Sequence, residues 1–312
     1  MTSAKILNMP SSVKNKKARN GLIDLYRFLL AIVVVKSHGL FVLDGPCFGP
    51  GRVCVEFFFV LSGYLFYSFL QRSKNLPIKA SLIGLWKSKV LPLSIPLAIG
   101  VLSNVISSFF DGEAFNPWGY LWYVEVMLVE MLILVILRKL IRSDLKFNVL
   151  LACILAISLI LKFSGLLYSF GYIRGASSIP AGIFLAMLPK WKPKRKCIVL
   201  LPLIPVFALC FSIVCFNLGN VEWFGVRFIE LALDNLLYPA LIYLSFCLEF
   251  KSKIFSYLGA LSFGLYAFQC PADLLRTLGV KNIWVLFGFI LIATLLEDGG
   301  KKVYKYIRNN KK

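Results

Sequence analysis

The sequence predicts an all-α fold: a polytopic transmembrane helical bundle of about ten spans with both termini cytoplasmic. Three observations predict it. Hydrophobic residues make up 59% of the 312 residues, against about 45–50% in a soluble domain. The excess is gathered into runs of about 17–25 residues, the length that crosses the hydrocarbon core of a bilayer. The Lys and Arg residues are concentrated in alternate connecting segments, as the positive-inside rule requires. A net charge of +20 would suggest nucleic acid as a partner in a soluble protein. Its placement in loops and tails makes membrane orientation the simpler cause, so nucleic acid is not expected.

Spans are expected at 22–43, 53–71, 90–109, 118–138, 147–164, 172–188, 197–218, 224–248, 254–270 and 282–298. The first run is too long for the core of a signal peptide and lacks a small-residue cleavage site, so it reads as a retained span. The connecting segments test the count. The N-terminal tail, "QRSKNLPIKASLIGLWKSK", "RKLIRSDLK", "PKWKPKRK", "EFKSK" and the C-terminal tail hold 27 of the 35 Lys and Arg residues. The intervening segments hold Arg52, Arg276 and Lys281, and one of them, "DGEAFN", is acidic. The organisation that follows is a basic tail over 1–21, one ten-span domain over 22–298 and a basic tail over 299–312. No tandem repeat or low-complexity linker interrupts it.

Ionisable residues inside spans are costly and by default functional hypotheses. Arg27 and the sole histidine, His38, are eleven residues apart in the first span. At about 100° per residue both side chains share one helix face, about 16 Å apart along the axis. Asp24 lies one turn before Arg27, where the two can pair. Arg27 is then at cytoplasmic depth and His38 at outer depth. The plainer alternative is that Arg27 snorkels to the inner interface and His38 makes an interhelical hydrogen bond. The second span enters from outside, so Glu56 is level with His38. Lys87 and Lys89 fall at the cytoplasmic end of the third span, where simple anchoring would also place them. Trp122 and Glu125 lie near the outer end of the fourth span, with Trp122 also suited to an interfacial aromatic belt. Arg174 is near the outer end of the sixth. Arg227, Glu230 and Asp234 share one face of the eighth, as a structural ion-pair ladder would. Tyr266 and Gln269 end the ninth at the same level. The pattern is a polar cavity in the outer half and a basic mouth at the cytoplasmic end.

The eight cysteines lie mostly in apolar runs, where they act as small hydrophobes. With one histidine and no CxxC, no zinc or other metal site is expected. Cys47 and Cys54 both lie near the outer face, so a bridge between them is open.

These motifs resemble the membrane acyltransferase type 3 family of bacterial envelope enzymes. Its first-span motif, an arginine followed after ten residues by a histidine, reads "DLYRFLLAIVVVKSH" in this chain. Its second-span motif, an acidic residue before an aromatic run and Ser-Gly, reads "EFFFVLSGYL". Weaker matches are "LWYVEVM", "IRGASSIPAGIFL", "LGALSFGLYAFQ" and a last span ending "LLED". Two positions depart from the pattern. Many members carry an arginine pair before the third span where this chain has Lys87 and Lys89, which lack the bidentate fork. Many carry a histidine late in the ninth span, where this chain has Gln269.

The resemblance implies an O-acyltransferase that moves an acyl group, usually acetyl, from cytoplasmic acyl-CoA to a hydroxyl of a lipid-linked or surface polysaccharide. Acyl-CoA is then a co-substrate, with no bound cofactor, and the location is the plasma (inner) membrane. Arg27, Lys87 and Lys89 would meet the donor. His38 would act as base or acyl carrier, because a neutral imidazole accepts a proton near neutral pH. Glu56 would orient its ring as the acid of a triad does. Arg174, Tyr266, Trp122 and Glu125 would serve the acceptor or the oxyanion. A transporter or flippase for an envelope glycan precursor is the alternative, since mid-depth charges also suit transport. It is disfavoured by the lack of an inverted repeat. A membrane scaffold would explain the loops and not the buried charges.

Overall fold

The computed structural model describes residues 20–38, 40, 51–111, 116–164, 171–191, 233–248 and 250–310. The N-terminal tail, the expected span 197–218, the first part of the span 224–248, Cys47, Arg227 and Glu230 lie outside the described residues.

The described chain is helical, with no strand among those residues. Helix α1 is Gly21–Ser37, α2 is Gly51–Ser73, α3 is Ile78–Leu85 and α4 is Ser94–Asp111. Helix α5 is Trp122–Leu140, α6 is Asp144–Ser164 and α7 is Gly171–Met187. Helix α8 is Tyr238–Leu248, α9 is Lys253–Ala267, α10 is Gln269–Thr277 and α11 is Ile283–Asn310. Five described helical segments are long and apolar enough to cross a membrane: Cys54–Ser73, Ile78–Phe110, Gly119–Leu140, Asp144–Ser164 and Ile283–Val303.

Three boundaries differ from the expectation. The segment before the third span is not a loop. Residues 78–111 form one helical run in which α3 and α4 are joined by a π turn at Trp86–Val90 and a 3-10 turn at Leu91–Leu93. Pro77 sits at the N-cap of α3, outside the helical hydrogen bonding, so it starts the helix rather than breaking it. The ninth span ends at Ala267 and the chain turns at Phe268 into α10. The C-terminal tail is helical through Asn310, continuing the last span.

Helix directions follow from who touches whom. A Cβ on Gly63 would lie 2.1 Å from the Ile179 carbonyl, and one on Gly182 would lie 2.0 Å from the Val60 carbonyl. Backbone thus meets backbone along α2 and α7, which run the same way. This is the close approach that small residues permit between membrane helices. Helix α5 runs with them, since Tyr123 meets Phe59 and Gly175 meets Val126 and Glu130. Helix α6 runs against them: Asp144 at its start pairs with Lys74 at the end of α2, and Lys162 near its end reaches Glu56 near the start. Helix α1 runs with α9, where Gly259 lies against Asp24. Phe57, Phe59, Phe66, Val124, Ile179 and Ile183 are fully buried between these helices. Leu145, Val149, Ile157, Ile160 and Phe163 of α6 are exposed, an apolar outward stripe suited to lipid.

The basic connections do more than orient the chain. Buried Arg138 ion-pairs with Asp144, donates to the Ile141 carbonyl at 3.2 Å and lies 4.9 Å from the Phe147 ring centroid. Lys139 Nζ donates to the carbonyls of Ser73, Lys74 and Leu76, at and just past the end of α2. These cations fasten the end of the bundle opposite Glu56.

Candidate active site

His38 is the C-cap residue of α1. The helix starts where Asn20 accepts from the N–H groups of Leu22 and Ile23, and the apolar run carries it seventeen residues to Ser37. At its end the half-buried imidazole meets the Tyr120 ring, with centroids 4.1 Å apart and planes inclined by 44°. The His38 carbonyl, a free acceptor at a helix C-terminus, takes a hydrogen bond from Arg276 Nη1 at 3.2 Å. Arg276 is held in turn by Asp273 one turn earlier on α10. Among the described residues no side chain hydrogen-bonds either imidazole nitrogen. Among the described residues the ring is therefore held by packing on Tyr120.

Glu56 has a different setting from the expected one. Its carboxylate is fully buried, and Oε1 accepts from Arg174 Nε at 2.6 Å and from Lys162 Nζ at 3.1 Å. Its Oε2 accepts from the Ser178 hydroxyl. Lys162 also donates to Asp234 Oδ2 at 2.9 Å. Four elements, α2, α6, α7 and the π turn at Leu233–Leu237, thus converge on one ion cluster. No hydrogen bond joins Glu56 to His38 among the described residues, so the triad-like orientation of the imidazole by Glu56 is not the arrangement found. The physical reason is competition. Two cations and a hydroxyl satisfy a buried carboxylate far better than one neutral imidazole.

The other expected residues divide between these two settings. Arg174 and Trp122 belong to the ion cluster, with the guanidinium carbon 5.8 Å from the indole centroid. Trp122 is thus enclosed by Arg174, Phe59 and Gly171 rather than free as a belt residue. Glu125 finds its partner in Tyr172, whose hydroxyl donates at 3.0 Å. Tyr266 donates to the Tyr120 carbonyl, so its one hydroxyl hydrogen is committed to the backbone and not offered to an oxyanion. Arg27 pairs with Asp24 at 3.3 Å on α1, as the spacing predicts. Lys87 and Lys89 stand on the π turn, Lys87 exposed and Lys89 half-buried, without an ion pair to a described residue. Gln269 is fully buried just after the Phe268 turn, and neither end of its amide has a hydrogen-bond partner among the described residues. Cys54 is a buried free thiol, and Cys47 lies outside the described residues. Asp234 faces Lys162, and the other members of the expected ladder, Arg227 and Glu230, lie outside the described residues. No group of three metal-ligating side chains gathers among the described residues.

The reading of the sequence missed Lys162. It lies near the end of an apolar helix, where a lysine is expected to snorkel to the interface. In the structure it is 1% exposed and bridges two carboxylates. The available signal was the balance of charge at that depth, since Glu56 and Asp234 needed more than one cation. Glu130 was also missed. It is buried on α5, with its carboxylate against Gly175, the residue that follows Arg174.

Comparison with known proteins gives one match. The model of a family described as an acyltransferase domain matches residues 20–296, which takes in both the His38 end and the ion cluster. No curated protein and no solved structure matches the chain.

Proposed function

The chain belongs to the membrane acyltransferase type 3 family, and from that premise we propose that it is an integral membrane O-acyltransferase. The donor in this reading is acyl-CoA, acetyl-CoA first, approaching from the cytoplasm. The acceptor is a hydroxyl of a lipid-linked or surface carbohydrate on the outer side, and the ten spans keep both termini in the cytoplasm. One observation carries it: the chain's only histidine stands at a helix end, packed on Tyr120, with no hydrogen bond to either ring nitrogen from a described residue.

The chemistry asked of this chain is small. An acceptor hydroxyl gives its proton to the neutral His38 ring as its oxygen attacks the thioester carbonyl. The carbon–sulfur bond breaks, the acyl group stays on oxygen, and the imidazolium returns the proton to the departing thiolate. General base catalysis of this kind contributes about 10²–10⁴-fold. In a variant of the same route His38 itself carries the acyl group before the hydroxyl attacks. Arg27, Lys87 and Lys89 supply positive charge for the donor's phosphates. Glu56 acts at a distance from the reacting atoms, as the centre of the cluster that aligns α2, α6 and α7.

The test is acyl content of the surface glycan beside the level of protein in the membrane. A His38→Gln protein keeps a hydrogen-bonding side chain without the basicity and is expected to transfer nothing while accumulating normally. Full acylation by that variant would remove both the base and the carrier route. The flippase reading keeps one observation in its favour, the buried Glu56–Lys162–Asp234 charges typical of coupled transport. Direct binding of acetyl-CoA separates the two, because an acyltransferase requires it and a glycan flippase does not.

A further inference from the structure

We propose that Tyr120, Asp273 and Arg276 position the His38 imidazole, filling the place that a carboxylate on the ring fills in a hydrolase triad. The inference rests on the reading of His38 as the base or carrier. Its starting point is that the expected partner, Glu56, is engaged elsewhere, while a histidine at a helix end still has two side-chain torsions to fix.

Two contacts from two different elements do this. The Tyr120 ring, 4.1 Å away and inclined by 44°, restricts rotation of the imidazole about its own bond to the chain. Arg276 fixes the main chain of the same residue through the His38 carbonyl, where a cation also complements the end of the helix dipole. Asp273 keeps Arg276 in place from one turn earlier. The Tyr120 hydroxyl lies within reach of both Arg276 and Asp273, so the two contacts are tied to each other.

The platform under Tyr120 is fixed from several sides. Gly119 adopts φ +38°, a left-handed conformation that favours glycine. A Cβ there would come within 2.9 Å of Asn104. Asn104 donates to the carbonyls of Pro117 and Trp118 at 3.2 and 2.9 Å, and Asn116 accepts from the Gly119 N–H at 3.0 Å. Tyr266 donates to the Tyr120 carbonyl from α9. A turn held by α4, α9 and its own asparagine has little freedom, and its Tyr120 ring rests on His38. This also gives Tyr266 a use: it steadies the positioning residue rather than the reaction.

The sole histidine makes the test unusually direct, because carbethoxylation by diethyl pyrocarbonate, read by the ultraviolet absorbance of the imidazole adduct, reports on His38 alone. Carbethoxylation is followed on the purified full-length protein in detergent, where His38 is the one histidine present, and activity is followed in native membranes with labelled acetyl-CoA and incorporation into the envelope fraction. Tyr120→Ala is expected to lower the apparent kcat by about ten- to a hundredfold while KM for acetyl-CoA changes less than about twofold, since misplacement of a reacting group acts on the chemical step. The same variant should speed carbethoxylation severalfold by uncovering the ring. Tyr120→Phe keeps the ring and should restore most of kcat and the slow modification. Arg276→Ala should lower kcat, with partial recovery in Arg276→Lys. A purely structural role would lower protein level and leave imidazole reactivity in the inserted protein unchanged. Should Tyr120→Ala not accumulate, Arg276→Ala and Asp273→Asn carry the same two readouts. Unchanged kcat and unchanged carbethoxylation in the accumulating variants would overturn the positioning role. His38→Ala separates the two levels. If it still transfers acetyl, the reading of His38 itself fails; if it is inactive while the Tyr120 and Arg276 variants match wild type, only the positioning inference fails.

Discussion

The ion cluster around Glu56 and the His38 end of α1 are built on opposite terms. In the cluster, Glu56, Lys162, Asp234 and Arg174 are each no more than 4% exposed and are tied together by short charged hydrogen bonds. At the other site the single titratable ring is half-buried, packed on one tyrosine, and holds no hydrogen bond at either nitrogen among the described residues. Charges that are paired with one another have less to offer a substrate. They hold helices in register, and a buried pair broken on one side becomes a large liability. A group that must exchange a proton with a substrate needs the reverse: fixed position with open valences. Ionisable residues in a membrane bundle therefore have to be sorted by whether their partners are internal, and not by depth alone.

The comparison can be broken most strongly at Lys162. Lys162→Met leaves two buried carboxylates facing fewer cations and is expected to cost about 3–5 kcal/mol. The readout is thermal stability and yield in detergent, and Lys162→Met combined with Asp234→Leu should recover part of the loss. If Lys162→Met were fully stable yet inactive, the cluster would have to be moved from scaffold to chemistry. Next comes the α2–α7 contact that aligns the cluster. Gly182→Ala puts a methyl group against the Val60 carbonyl, and overpacking of this kind costs about 1–3 kcal/mol. Melting temperature should fall, and residual activity in the folded fraction should persist if the His38 end is independent of that contact. Arg27→Lys sharpens the other side. It keeps the charge and the Asp24 pairing while losing the planar fork. Acetyl-CoA titration should show weaker binding by roughly tenfold, about 1.4 kcal/mol, with normal insertion. Unchanged donor affinity alongside lost folding would make Arg27 a structural partner of Asp24. The smallest effect is expected from Tyr172→Phe. It removes one half-exposed hydrogen bond to Glu125, worth about 0.5–1 kcal/mol. A large loss of transfer from so mild a change would draw Glu125 into the acceptor site.

Composition and charge order were enough to read a helical membrane bundle, because hydrocarbon demands internally satisfied backbone and long apolar runs. The spacing of Arg27 and His38 was enough to place them along one helix, and the Asp24–Arg27 pair followed from the helical repeat. The motifs in the first two spans were enough to identify the family that the match over 20–296 establishes. That Glu56 and Arg174 stand level with one another was legible, since rise per residue along a helix is constant. Which charge meets which was not legible. That depends on how α2, α6 and α7 rotate about their axes. Backbone contacts at Gly63 and Gly182 set that rotation for α2 and α7, and in sequence they look like any other glycines. Rotation brought Lys162 inward to bridge Glu56 and Asp234, and left His38 to Tyr120 and Arg276, a turn and a short helix distant in sequence from it. A one-dimensional periodicity fixes where a residue stands along the membrane normal. Only the packing of several helices at once fixes the azimuth, and with it the division between the charges that hold the bundle and the histidine end of α1.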